Sequence, residues 1–380
     1  MLPEKNPSNQ TTIFTVMSAL AQQHKAINLS QGFPDFPIAP ELARLVGDAV
    51  QQGYNQYAPM AGLPALQEAI SKKIQHFQKV SIDPYTEITI TPGATYAIYC
   101  SLACLLEKGD EVIVLEPAYD SYAPNIYSNG GVPVGVPLNP ADFSVDWNRV
   151  REAITKKTKA IVLNNPHNPS GTVWSAEDFR ALSELLSLHH LYVIADEVYE
   201  HLVFDQQPHL SVLQFPELRQ RSFAVYSFGK VYHATGWKVG YCVAPAEYSA
   251  AFRKIHQYMA FSVNSSMQYA LAQYLQDFQP LSDSRLMLQN KRDFFLKQME
   301  GTAFTWAKPA AGSYFQLMSY ASISDLPDKE FASWLTEHAG VAAIPLSPFY
   351  QQDYQGKWLR FCFAKQEETL EQAAINLRKL

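Results

Sequence analysis

Six short runs rich in apolar and β-branched residues dominate the middle of the chain: EITIT, EVIVLEP, AIVLNNP, LYVIADE, FAVYS and VGYCVAP, between Glu87 and Pro245. Longer stretches of helical periodicity separate most of them. Such alternation predicts an α/β fold with a parallel sheet, because each parallel crossover needs room for a helix. From Gly62 to Val80, Leu63, Leu66, Ile70, Ile74 and Phe77 recur at three- and four-residue steps, which predicts an amphipathic helix. Ser175 and Asp178 precede another periodic segment and read as its N-terminal cap.

After about Ser282 the pattern changes to a long helical segment, strands at AAIPLS and KWLRFCFAK, and a helix over Glu367–Leu380. This predicts a large domain over 41–281 and a smaller one built from 1–40 and 282–380. INLSQGFPDFP, within the first forty residues, reads as too broken by Gly and Pro for a sheet interior and is expected to cross between the domains.

At 380 residues, 47% apolar and 17% charged, the chain can bury a large core. Its net charge of -6 argues against a phosphate-backbone binder and so against a nucleic-acid partner. The four cysteines, Cys100, Cys104, Cys242 and Cys362, fit neither a disulfide framework nor metal-ligand spacing, so no metal is expected. MLPEKNPSNQ lacks the regions of a signal peptide and no stretch is apolar enough to span a membrane. A cytoplasmic location is the expectation.

In an open α/β sheet, ligands collect beyond the carboxyl ends of the strands, so the residues that follow each run are the candidates. After EITIT come Pro92, Gly93, Ala94 and Thr95, small residues opening a helix whose free N–H groups can hold a phosphate. By itself this is more simply the chemistry of a turn. PHNPSG after AIVLNN brings Asn168. LYVIADEVY brings Asp196, costly to desolvate without a cation or a ligand, and Tyr199 three residues on. FAVYS runs into Ser227 and Lys230, in a segment, SFGKVYHATGWKVGY, with a second lysine at Lys238 and no carboxylate.

Converging on one crevice, these groups suit pyridoxal phosphate. An amine forms a Schiff base, a carboxylate keeps the pyridine nitrogen protonated, and small or cationic groups hold the phosphate. Desolvation and a nearby cation would lower the pKa of a lysine enough to make it a nucleophile.

INLSQGFPDF, NQYAPMAGLPALQEAI, PHNPSGTVW, ADEVYEHLVF, SFGKVYHATGWKVGYCVAP and LRFCFAK also occur together, in order, in one known family. Over nearly its whole length the chain resembles the class I pyridoxal-phosphate aminotransferases, most closely the branch with the methionine and kynurenine aminotransferases. The resemblance implies the type I fold, a large domain with a mostly parallel seven-stranded sheet plus a small α/β domain, paired as a homodimer with small-molecule amino acids and 2-oxo acids as substrates.

Residue by residue, the resemblance makes Lys230 the lysine that carries the cofactor and then moves the α-proton, and Asp196 the partner of the pyridinium nitrogen. Tyr199 and Asn168 would bond the ring's 3-oxygen, and Tyr119 would stack on the ring. Ala94, Thr95, Ser227 and Lys238 would hold the phosphate, with Tyr57 reaching it from the other subunit. Arg360, aided by Gly32 and Asn168, would take the substrate carboxylate, and Phe14 would wall the side-chain pocket. Lys238 stands where the aspartate enzymes have arginine, and Tyr119 where other members carry Trp or Phe.

The expected reaction is ping-pong transfer of the amino group of an apolar, thioether or aromatic L-amino acid, methionine above all, to a 2-oxo acid. A kynurenine aminotransferase or a carbon–sulfur β-lyase acting on cysteine conjugates would use the same site. A regulator built on this fold would need a DNA-binding domain ahead of it, and only about thirty residues precede QGFPDF.

Overall fold

The computed structural model describes residues 11–380; the expectations drawn from residues 1–10 lie outside it. Its centre is a sheet of seven strands: β1 (Ile88–Thr91), β2 (Glu111–Glu116), β3 (Val132–Pro137), β4 (Thr158–Asn164), β5 (Tyr192–Asp196), β6 (Ser222–Ser227) and β7 (Gly240–Val243). They lie in the order β1-β7-β6-β5-β4-β2-β3. β7 runs antiparallel to β1 and β6, and every other neighbouring pair is parallel.

Each of the six runs read from the sequence is a strand of this sheet. Their unbroken apolar character follows from cover on both faces. Val112, Val162, Ile194 and Val225 pack on one side with Ala97 and Ile98 of the helix Ala94–Leu105. Their alternates Ile113, Ile161, Val193 and Ala224 join the larger core on the other. The sequence reading missed β3, VPVGVP, whose two prolines break the pattern. β3 lies at the edge, where a proline without an N–H costs no ladder bond toward solvent.

The expected amphipathic helix spans Pro64–Gln78 and buries Leu66, Ile70 and Ile74, while Phe77 stays partly exposed. Ser175 caps Ala176–Leu188 in a reciprocal pair with Asp178. Cys100, Cys242 and Cys362 are free and buried, as small core residues would be.

The C-terminal part holds a three-stranded antiparallel sheet of β8 (Phe315–Ser319), β9 (Ile344–Pro345) and β10 (Trp358–Cys362), with β10 in the middle. The helices Gln279–Met299 and Glu367–Leu377 pack on each other beside it. Ile27–Asn28 pairs in parallel with Val341–Ala342 in a two-stranded sheet, which has no interior strand, and the Leu29 carbonyl accepts from the Cys362 N–H at 2.9 Å. Two residues suffice for this before Gly32 and Pro34 end the strand. No helix among the described residues is long and apolar enough to cross a membrane.

Behind the sheet lies a buried ion pair between Lys73, on Pro64–Gln78, and Glu200, in the turn after β5. The Tyr241 hydroxyl, on β7, lies 2.5 Å from the Lys73 ammonium and 3.0 Å from the Glu200 carboxylate. Burial works against the Glu200 carboxylate, but the Lys73 charge beside it prevails and holds its pKa low. Removing one partner of such a pair leaves an uncompensated charge, a cost of about 3–5 kcal/mol. Lys73→Met is therefore expected to lower stability to chemical denaturant by that amount, and the double change with Glu200→Leu by much less than the sum of the singles. Additive losses in a double-mutant cycle would show that the pair does not act as a unit.

Candidate active site

Three strands deliver polar residues to the same edge. β4 ends in Asn164, β5 in Asp196 and β6 in Ser227, and the helix Ala94–Leu105 begins there after β1. β7, the antiparallel strand, starts at this edge, so Lys238 enters it from the opposite chain direction. The pocket they enclose has a volume of about 340 Å³. Phe14, Gly32, Ala94, Thr95, Tyr119, Asn168, Asp196, Tyr199, Ser227, Lys230, Lys238 and Arg360 all line it. Tyr57 does not: it is 82% exposed and packs edge-on against Phe261 at 5.3 Å. A neighbouring cavity of about 320 Å³ shares Tyr122 and Asn164 with the pocket but is not lined by Lys230 or Arg360.

Lys230 follows β6 in a single helical turn, Phe228–Val231. Its ammonium lies 5.9 Å from the ring centres of both Tyr199 and Tyr314. Burial pushes its pKa down to about 8; Asp196 opposes this, while Lys238 and Arg360 add to it. Asp196 is displaced the other way. Burial raises its carboxyl to about 6, although the Tyr122 hydroxyl donates to it at 2.6 Å and the Val198 N–H at 3.4 Å. A carboxylate this deep, with neutral donors and no direct ion pair, lacks the cation that would make its burial favourable.

At the other end of the pocket, Gly93 adopts φ +86°, and a Cβ there would lie 3.3 Å from the Lys238 ammonium. Glycine lets that amine approach the start of Ala94–Leu105, where no side chain caps the first turn. Free N–H groups, the positive end of a twelve-residue helix, Ser227 and a lysine together make an anion site.

Arg360 leaves the middle strand β10 and is 1% exposed. It donates from Nη1 to Asn168 Oδ1 at 2.8 Å and from Nη2 to the Ser30 carbonyl at 3.0 Å, and its buried Nε has no partner. The guanidinium lies 3.9 Å from the ring centre of Phe315, 5.1 Å from Phe14 and 5.6 Å from Phe349. β10 has a hydrogen-bonded neighbour on each side, so Arg360 does not lie on a sheet edge. Asn168 is held in turn by its N–H, which donates to Asn164 Oδ1 at 2.7 Å.

Tyr122, Asn164 and Tyr314 were missed in the sequence. Asn164 could have been found by the rule that found Asp196, since it is the first polar residue closing a strand. Tyr122 lies 74 positions from the carboxylate it bonds, and Tyr314 lies 282 positions from its acceptor, the Gly32 carbonyl. No local pattern marks either.

The family of class I and II aminotransferases matches residues 24–377. The methionine aminotransferase of Escherichia coli K12 is 49% identical over 385 residues, covering 100% of this chain and 99% of its own. Human kynurenine–oxoglutarate transaminase 1 is 32% identical over 395 residues, covering 95% and 93%. Among solved structures, Escherichia coli YbdL, described as a methionine aminotransferase, superposes with a TM-score of 0.97 at 48% identity over the whole of both chains. The N-succinyldiaminopimelate aminotransferase of Mycobacterium tuberculosis does so with 0.95 at 36% over the same extent. With the conjunction of amine, buried carboxylate, anion site and buried guanidinium in one pocket, these matches show that the chain belongs to the class I and II aminotransferases.

Proposed function

We propose that this aminotransferase works with pyridoxal phosphate, takes L-methionine or a similar apolar or aromatic amino acid as donor, and passes the amino group to a 2-oxo acid. The observation that carries the cofactor reading is Asp196, a buried carboxyl on the pocket wall that only neutral donors bond and that burial raises to about 6. A protonated pyridine nitrogen is the cation that fits. At the far end, Ala94, Thr95, Ser227 and Lys238 would hold the phosphate, and Tyr119 would cover the ring. Asn168 and Tyr199 would bond its 3-oxygen. When bound, the cofactor supplies an electron-withdrawing ring that stabilises the charge left at the substrate Cα.

The chain's own groups do the rest. Arg360 and Asn168, with the Gly32 backbone, orient the substrate carboxylate, for which a planar guanidinium offers parallel donors. Lys230 Nζ takes the proton from Cα. With a pKa of about 8, roughly one amine in ten is neutral at pH 7, against about one in three thousand at the ordinary value of 10.5.

Arg360 is the one arginine among the described residues lining the pocket, which favours an uncharged donor side chain over that of aspartate. Phe14 supplies an apolar wall, and the methionine and kynurenine enzymes among the relatives support thioether and aromatic donors. Tyr57 and Phe261 project from the surface near Tyr258 and Met259, also exposed. This supports a homodimer in which Tyr57 of one subunit serves the phosphate site of the other. The functional division into 41–281 and 1–40 with 282–380 and a cytoplasmic location belong to the same reading.

Mixed with methionine and no acceptor, the purified holoenzyme is expected to lose the absorbance of the lysine-bound cofactor as the amino form appears. Conversion by aspartate but not by methionine, phenylalanine or kynurenine would sink the substrate reading, and multiple turnover by Lys230→Ala would sink the role of Lys230. A depressed pKa means that the reactive neutral amine accumulates at lower pH. Capture of added pyridoxal phosphate by apoenzyme should therefore rise through about pH 8, and a midpoint near 10 would contradict the burial argument. Light scattering should return twice the 42.8 kDa chain mass; a monomer that retains full activity would exclude the shared site.

A further inference from the structure

Tyr314 is fully buried immediately before β8, does not line the pocket, and lies behind it between Gly32 and Lys230. Its hydroxyl donates to the Gly32 carbonyl at 2.7 Å. Its ring meets that of Tyr199 edge-on, with centres 5.2 Å apart at 86°, and the Lys230 ammonium lies 5.9 Å from each.

The backbone around it is fixed from three directions. The Ser313 N–H donates to the Leu202 carbonyl at 2.9 Å, beyond β5, and Ser313 itself holds φ +64°. The Tyr314 carbonyl accepts from the Phe363 N–H at 3.1 Å, just past β10. The next residue, Phe315, stacks beneath Arg360, and its ring would lie 2.8 Å from a Cβ on Gly32. The Gly32 segment thus rests on Phe315 and hangs from the Tyr314 hydroxyl.

We propose that Tyr314 is a positioning residue with two separable tasks, an inference that rests on the roles given above to Lys230 and Gly32. Its hydroxyl fixes the Gly32 backbone where the substrate carboxylate meets Arg360. Its ring, with that of Tyr199, forms an aromatic corner that steadies Lys230 and favours the protonated state of its nitrogen through the π faces. Neither task involves bond making. The hydroxyl task concerns binding, and the ring task concerns proton affinity and the rate of proton movement.

Two variants of the holoenzyme separate them. Tyr314→Phe keeps the ring and removes the donor. It should weaken methionine in the single-turnover half-reaction by about three- to tenfold, the worth of one hydrogen bond. The saturating rate and the pH midpoint of the bound cofactor's visible absorbance should stay within error. Tyr314→Leu removes both, and should also move that midpoint down by about half a unit or more and slow the saturating rate.

Unchanged methionine affinity in Tyr314→Phe would overturn the proposal, even if melting showed lost stability, because a merely structural tyrosine would do that. An unmoved midpoint in a folded Tyr314→Leu would overturn the ring's task. If Tyr314→Leu does not fold, the affinity measured with Tyr314→Phe still decides the hydroxyl's task, and Tyr314→Met, which fills more of the space without a ring, replaces it for the ring, whose task falls if the midpoint stays where it is in the unaltered enzyme. Failure of the unaltered enzyme to react with methionine would instead count against the function proposed above.

Discussion

The buried guanidinium of Arg360 is the interaction on which most of the pocket's architecture depends. A charge at 1% exposure needs partners from somewhere, and here they come from distant parts of the chain: Asn168 beyond β4, Ser30 near the N-terminal end, and three phenylalanine rings. Satisfying this one group brings the C-terminal sheet, the large sheet and the segment around Gly32 together. The unpartnered Nε shows that the protein does not use up the whole donor set. In the proposed reaction the remaining capacity goes to the substrate carboxylate.

Electrostatics in the same pocket runs against ordinary charge states in two places. Burial depresses Lys230 to about 8 and raises Asp196 to about 6, so the two groups have moved toward each other along the pH scale. Each form would be costly in a protein that merely had to be stable. In the proposed roles of Lys230 as the proton-moving amine and Asp196 as the partner of a cofactor cation, the displacement serves the reaction, and shifted groups of this kind cluster at active sites. The contrast with Lys73 and Glu200 is instructive. Glu200 is buried too, but the Lys73 charge beside it holds its carboxyl below the ordinary range, whereas Asp196, without a direct pair, is raised.

Much of this was legible in the sequence, though unevenly. Strands buried on both faces leave continuous apolar runs, so six of the seven in the large sheet could be read directly. β3 could not, because at an edge the physics relaxes and prolines are tolerated. Candidate residues that close strands were visible because a parallel sheet converts positions far apart in sequence into one edge. Phe14, Gly32, Tyr119 and Arg360 came through resemblance to a family, not through any local pattern.

Local sequence determined the alternation of strands and helices, the helix opening at Gly93-Ala94, and the lack of carboxylates in the segment that carries Lys230. These are properties of nearest neighbours and of period, and short-range sterics and burial suffice to set them. Tertiary structure alone decided that Tyr122 would hold Asp196, that Tyr314 would reach Gly32, and that Arg360 would lie in a middle strand among aromatic rings. Those depend on which elements pack together, and contacts across tens or hundreds of residues leave no periodic trace. The pKa values of Lys230 and Asp196 belong with them, since desolvation is a property of the assembled pocket and not of either residue.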